Sequence, residues 1–184
     1  MKRLPLIPTL VVLLAVATMI GLGIWQLGRA GEKEAALASY RAAAGMPAVA
    51  WPVMPPADER LPLFRRATGL CLEPTAMKVV AGRNARGETG YSHWVDCRTN
   101  AEGPGMRVDI GWSRNPQQRS TWVGGPVAGI IAPDAEMRMR LVSATGLGGF
   151  AASAPPNPEE IPNNHRGYAF QWFSFAGIAL VIYA

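Results

Sequence analysis

The chain is poor in the residues from which most catalytic and metal sites are made. It carries two cysteines and two histidines in 184 residues. Cys71 and Cys97 form no C-x-x-C pair, so neither a redox motif nor a thiolate metal site is indicated. No glycine-rich loop opens a helix, which removes a phosphate cradle. Serine, aspartate and histidine are too few and too scattered to nominate a triad. A clustered basic face is missing as well. The net charge of +5 is Lys2 and Arg3 plus an excess of +3 spread along the middle, which argues against a nucleic-acid partner.

The most informative absence is that of charge at the two ends. None occurs from Leu4 to Gly28 or from Gly167 to Ala184. The first apolar block, Leu4 to Leu27, contains Thr9, Thr18 and Gln26 as its polar members. As a helix it reaches about 36 Å, enough to cross a hydrocarbon core of roughly 30 Å. Pro5 and Pro8 sit in or near its first turn, where a missing N–H costs little. A cleaved signal peptide competes, with Ala15-Val16-Ala17 as its cleavage pattern. The apolar run continues past Ala17 without a turn signal, as an anchor does. The second block, Tyr168 to Ala184, is near the lower limit for a span and gains length if Asn164 to Gly167 belong to it. Lys2-Arg3 places the N-terminus in the cytoplasm, the middle outside, and the C-terminus back in the cytoplasm.

The expected organisation is therefore a membrane-anchored α+β protein. Residues 1–28 form the first transmembrane helix, 29–163 an extracytoplasmic β-rich domain, and 164–184 the second transmembrane helix. Helical pattern continues from Gly31 to Arg41 on good helix formers, and Gly45 with Pro47 ends it. Prolines 47, 52, 55, 56 and 62 mark an extended surface loop. Short β-like runs follow at Phe64–Leu72, Ala76–Arg83, Tyr91–Arg98, Met106–Trp112, Val127–Ala132 and Met137–Val142, separated by breaker-rich turns. In the last run Met137, Met139 and Leu141 alternate with Arg138 and Arg140, the period of a half-buried strand. The pattern predicts a small antiparallel barrel or sandwich. Gly146 to Pro162 leads the chain back to the membrane.

Four features are candidates for chemistry. Cys71 and Cys97 fall in two predicted strands, and two readings stay open: a disulfide in an oxidising space, or two buried thiols. His93, within Tyr91-Ser92-His93-Trp94-Val95, reads as a surface or interface residue of a strand. Trp25, Gln26 and Arg29 lie at the outer end of the first helix. His165, Tyr168, Gln171 and Trp172 lie at the same depth on the second, with Arg166 beside them. On a helix His165, Tyr168 and Trp172 share a face, as do Trp25 and Arg29. An interfacial aromatic belt with a basic flank accounts for Trp25, Arg29, Tyr168 and Trp172. It accounts poorly for Gln26, Gln171 and His165, which need a partner at that position.

The end motifs resemble those of a known family. Trp25-Gln26-Leu27-Gly28-Arg29 with Lys33 is similar to the first motif of the surfeit locus protein one family, the cytochrome c oxidase assembly factors. Asn164-His165 with Tyr168-Ala169 and Gln171-Trp172 is similar to its second. Phe64-Arg65-Arg66 with Gly69 looks like the start of the family's first strands. Ile110-Gly111-Trp112 stands where the family commonly has Arg-Gly-Trp, so a surface role for that arginine is not expected here. The resemblance implies two transmembrane helices, a bacterial inner-membrane location, and a non-enzymatic part in building the haem a centre of the oxidase catalytic subunit. The haem a synthase and the lipid membrane are the other implied partners. It makes His165 the expected axial ligand to haem iron, since neutral imidazole is a standard haem ligand. Arg29 and Arg166 are then candidates for the propionates, with Trp25, Gln26, Tyr168, Gln171 and Trp172 completing the haem a site. The rival expectation is a cofactor-free scaffold that docks oxidase subunits or the haem synthase, in which the Gln and Trp pairs serve helix contacts. An extracytoplasmic thiol enzyme using Cys71 and Cys97 has least support, because no activating motif is near either.

Overall fold

A computed structural model of the chain describes residues 5–101, 103 and 105–183. Lys2-Arg3, read above as fixing orientation, lies outside the described residues, as do Glu102 and Pro104 of the turn before the fourth long strand. The chain divides into two compact units, one formed by the chain up to Ala38 and from Glu159 onward, the other by Ser39–Pro158. The sequence reading drew these limits at 28/29 and 163/164.

The first unit is helical. Helix α1 (Leu6–Ala43) is continuous, so the apolar block and the alanine-rich stretch after it are one element. Gly45 and Met46 donate to the carbonyls of Ala42 and Ala43 and close its last turn, and Pro47 follows. Among the described helices, α1 is long and apolar enough to cross a membrane. Helix α2 (His165–Tyr183) has 19 residues and no acidic residue in its first turn.

The second unit is one mixed sheet of seven strands: β1 (Val49–Ala50), β2 (Arg66–Cys71), β3 (Glu73–Arg83), β4 (Thr89–Arg98), β5 (Met106–Ser113), β6 (Gly125–Asp134) and β7 (Arg138–Ser143). Their order is β1-β2-β6-β7-β5-β4-β3. The sheet is mostly antiparallel, and β1 with β2 and β5 with β7 are the parallel pairs. Turn chemistry sets two of the hairpins. The Asn84 Oδ1 accepts from the N–H groups of Arg86 and Glu88 between β3 and β4. The Asp134 Oδ1 does the same for Glu136 and Met137 between β6 and β7.

The expected barrel or sandwich becomes a single rolled sheet that strand pairing does not close. The Leu72 N–H donates to the Arg98 carbonyl at 2.9 Å, so the end of β2 reaches β4 across the roll. Alternating side chains point into that roll. Ala67, Val95, Met106, Val108, Ile110, Val127, Ile131, Met139 and Leu141 form its core. Ile110 is fully buried among them.

One expectation is overturned. His93 is not a surface residue but is completely buried. The register between β4 and β5 shifts between His93 and Trp94, and opposite the shift Gly111 takes φ 141°. Its missing Cβ matters: one built there would lie 2.5 Å from the Ala151 carbonyl oxygen. The extra residue is Ile110 of β5. On β4 His93 keeps the phase of the buried Val95 and Cys97, and the segment after Leu147 packs on His93 and on the neighbouring Ser92. Phe150 stacks on the His93 ring at 4.1 Å, while Ala151 bridges to Trp112 and Ser153 to Asn84. The Gly-, Ala- and Pro-rich stretch is thus a clamp over β4 and β5 as well as a connection.

Candidate functional site

Within the helical unit α1 and α2 run antiparallel. Thr9 bonds the Tyr183 hydroxyl at 2.6 Å near one end of the pair, and Gln26 bonds His165 near the other. The buried and half-buried positions of α1 include Thr9, Val12, Val16, Met19, Gly23, Gln26 and Ala30. Those of α2 include His165, Ala169, Trp172, Ala176, Ala179 and Tyr183. Both sets repeat every seven residues, the pattern of two helices packed along a shared seam. Small residues let the backbones approach. Ala30, Ala169 and Ala176 are buried, and a Cβ on Gly23 would stand 2.6 Å from the Phe173 ring.

Polar groups enter this seam at one level. Gln26, half-buried on α1, places its Oε1 2.7 Å from the Nδ1 of His165, the first residue of α2. Around them the charges are paired. Arg166 reaches the Glu34 carboxylate at 2.9 Å, and Arg29 bonds Glu32 one turn along its own helix. All four of these side chains are largely exposed, so each pair contributes at most about 1 kcal/mol. A cleft of about 400 Å³ is lined by Asn163, Asn164, Gly167, Tyr168 and Gln171, and His165 is not one of its walls. The Asn163 Oδ1 is buried without a partner. Trp172 meets Phe175 edge-on at 6.4 Å.

Sequence reasoning had placed eight residues in one site. The fold brings Gln26 and His165 into direct contact and puts Tyr168 and Gln171 in the walls of one cleft. Trp25 is exposed and, like Arg29, is not a wall of that cleft. The motif pair decides little without independent support, and that support comes from the whole chain. A model of the SURF1 family matches residues 13–177. The chain belongs to the SURF1 family. Among curated proteins none matches it. The family is linked to cytochrome oxidase assembly, and its members are assembly factors rather than enzymes.

The match runs from within α1 to within α2 and takes in the whole sheet, so the β domain is part of what makes this chain a SURF1-family protein. That domain holds a polar cluster that sequence reasoning missed. The Asp109 carboxylate, buried under Ser153, accepts from the Ser153 hydroxyl at 2.6 Å, the Gly111 N–H at 3.1 Å and the Trp94 indole at 3.3 Å. Arg140 stacks over the Trp94 ring at 4.3 Å. Burial pushes Asp109 up to about 6, against the pull of those donors and of Arg140. His93 bonds Ser113 through Nε2 at 2.9 Å, its Nδ1 has no partner, and burial lowers its pKa. Imidazole and carboxylate therefore sit in two separate pairs, with no Asp–His relay. A substrate has no access to a histidine at 0 % exposure. The cluster ties the 150–154 clamp to the sheet. The signal for it was the run Ile110-Gly111-Trp112, whose glycine marks the bulge.

A second network crosses the sheet nearby. Arg107, 6 % exposed, bonds Asp96 at 2.7 Å, Glu136 at 2.8 Å and the buried Asp134 at 3.2 Å. Its pKa is raised, chiefly by the Asp96 hydrogen bond. Among the described residues no cluster of three or more His, Cys, Asp or Glu could hold a bare metal ion. A haem asks for less, because the porphyrin supplies four of the iron's ligands and the protein needs to supply one.

Proposed function

We propose that this SURF1-family chain holds haem a and delivers it to the catalytic subunit of cytochrome c oxidase at the extracytoplasmic membrane interface. His165 is the axial ligand in this reading. The observation that carries it is the Gln26–His165 bond, which occupies one ring nitrogen and leaves the other for iron. The cleft at Asn163–Gln171, on the flank of α2 that begins at the neighbouring Asn164, gives room for part of a large planar cargo. Helical periodicity supports a shared site. Trp25 and Arg29 fall one step around α1 from the seam, and Asn164, Tyr168 and Gln171 one step around α2. In an antiparallel pair these two flanks lie on the same side. Trp25, Tyr168 and Trp172 then supply stacking surface. Arg29 exchanges its exposed glutamate partner for a haem propionate, whereas Arg166, on the other flank of the seam, keeps its pair with Glu34. Such an exchange costs little, since exposed pairs are weak. One strong ligand with an open or weak sixth position suits a carrier that must release what it holds.

In the same proposal both helices span the bacterial inner membrane, α1 outward and α2 inward. The 19 residues of α2 reach about 28 Å, and the contacts from Thr9–Tyr183 to Gln26–His165 put the two helices at one depth. The β domain and the site then lie on the outer side. A second reading has one observation in its favour: Arg29, Arg166 and His165 are all already partnered within the chain. A cofactor-free scaffold docking the oxidase or the haem synthase needs nothing more.

Absorption spectra of the protein, purified in detergent from cells that make haem a, separate the two. The carrier reading expects a haem a spectrum that is lost in His165→Ala. A spectrum that persists in that variant would falsify His165 as the ligand, and a colourless wild-type protein would favour the scaffold.

A further inference from the structure

From the same contact we infer that Gln26 is a positioning residue: it holds His165 in the Nδ1–H tautomer, so that Nε2 is the atom that meets iron. This inference rests on the haem-ligand reading for its purpose but not for its geometry. An amide oxygen only accepts hydrogen bonds, so a ring nitrogen 2.7 Å from the Gln26 Oε1 must carry the proton. In the neutral ring the remaining nitrogen, Nε2, is then the one with the lone pair. In neutral imidazole the partner of one nitrogen decides what the other can do.

The placement of Gln26 fits such a role and little else. It is the one amide in the charge-free run from Leu4 to Gly28, and it lies in the seam. A polar group in that setting costs free energy unless it is bonded. His165 is the first residue of α2, so its backbone belongs to a helix terminus, where end fraying would leave the ring free to turn. A bond to a different helix, 139 positions away in sequence, fixes the ring plane from outside. An acceptor on the distal nitrogen also raises the basicity of the ligating one, as second-sphere partners of metal-bound histidines do.

The test begins without haem. The haem-free protein in detergent, labelled with 15N at its two histidines, is examined above pH 7.5 by long-range proton–nitrogen correlation, with His165→Ala assigning the signals. His165 is expected as the Nδ1–H form in the wild type and in Gln26→Glu, and as an exchanging mixture in Gln26→Leu. An Nε2–H form in the wild type, or a tautomer untouched by Gln26→Leu, overturns the inference whatever haem does. The same variants are then loaded with haem a. Gln26→Leu should lower retention about ten- to a hundredfold and shift the iron–histidine stretch down, while Gln26→Glu shifts it up. A stretch that does not move between the two also overturns it. Unchanged melting of the Gln26 variants shows that a loss is not misfolding. Failure of the carrier reading is recognised separately, by a haem spectrum indifferent to His165→Ala while the tautomer result stands.

Discussion

Cys71 of β2 is bonded to Cys97 of β4, although β6, β7 and β5 stand between those strands in the sheet. The pairing closes the roll with a covalent link where no ladder of hydrogen bonds does. It also settles the choice between disulfide and thiols in favour of the disulfide, with no free cysteine left. Both sulfurs are buried, which leaves the pair structural and the thiol-enzyme reading without a nucleophile.

Removing that link should cost about 2–4 kcal/mol, as closure of a loop of this size implies. Cys71→Ser/Cys97→Ser is expected to melt several degrees below the wild type, and reduction of the wild type should reproduce the loss. Equal melting temperatures with and without reductant would show that the roll is held by packing alone.

Acidity should act on the polar cluster in two opposite senses. Asp109 is raised to about 6 in the fold, so between about pH 6 and pH 4 the folded chain takes up a proton that the unfolded chain does not. Its contribution to stability therefore grows as pH falls, by about 3 kcal/mol across that window. His93 is lowered by burial, so the unfolded chain takes the proton first and stability falls as pH drops below about 6.5. Melting curves from pH 4 to 8 should show Asp109→Asn losing stability on acidification faster than the wild type. His93→Gln should lose it more slowly. Parallel curves for all three proteins would mean that neither group titrates in the fold.

The Arg107 network makes a sharper claim about burial. Arg107→Ala leaves Asp134, whose side chain is 1 % exposed, facing an empty space where a guanidinium stood. A loss of about 3–5 kcal/mol is expected, since an unpaired buried charge costs more than the pair contributes. Adding Asp134→Asn should recover part of it. Chemical denaturation of the three proteins checks this, and no recovery in the double variant would place the cost in lost packing instead.

The helix seam can be tested by two neighbouring glycines. Gly23→Leu drives a side chain into Phe173, whereas a Cβ at Gly21 meets nothing within 4 Å. Gly23→Leu is expected to cost about 1–3 kcal/mol and to separate Gln26 from His165. Gly21→Leu should behave as the wild type. Haem retention and melting temperature, measured together, should fall for the first variant and hold for the second.

Much of this architecture was readable before the fold was known. The β runs, read from alternation and breakers, match β2 to β7 within a few residues at their ends, because side-chain period and turn residues are local. The continuous α1 followed from alanine-rich pattern and a Gly–Pro stop. His93 was misread although it shares the alternation of Val95 and Cys97, because its cover comes from β5 and from a clamp some sixty positions later, which leaves no local period.

The sequence by itself determined which segments are apolar, where helices and strands begin and end, and which polar residues sit where none is expected. Those properties belong to neighbours along the chain, and hydrophobicity and backbone preference encode them directly. The tertiary structure alone decided the pairings: Cys71 with Cys97, Asp109 with Ser153, Gln26 with His165. A partner lies tens to more than a hundred positions away, and any acceptor at the right depth would satisfy the same composition. Only the antiparallel seam, with Gly23 and the buried alanines bringing two helices close, sets the Gln26 amide oxygen against the ring of His165.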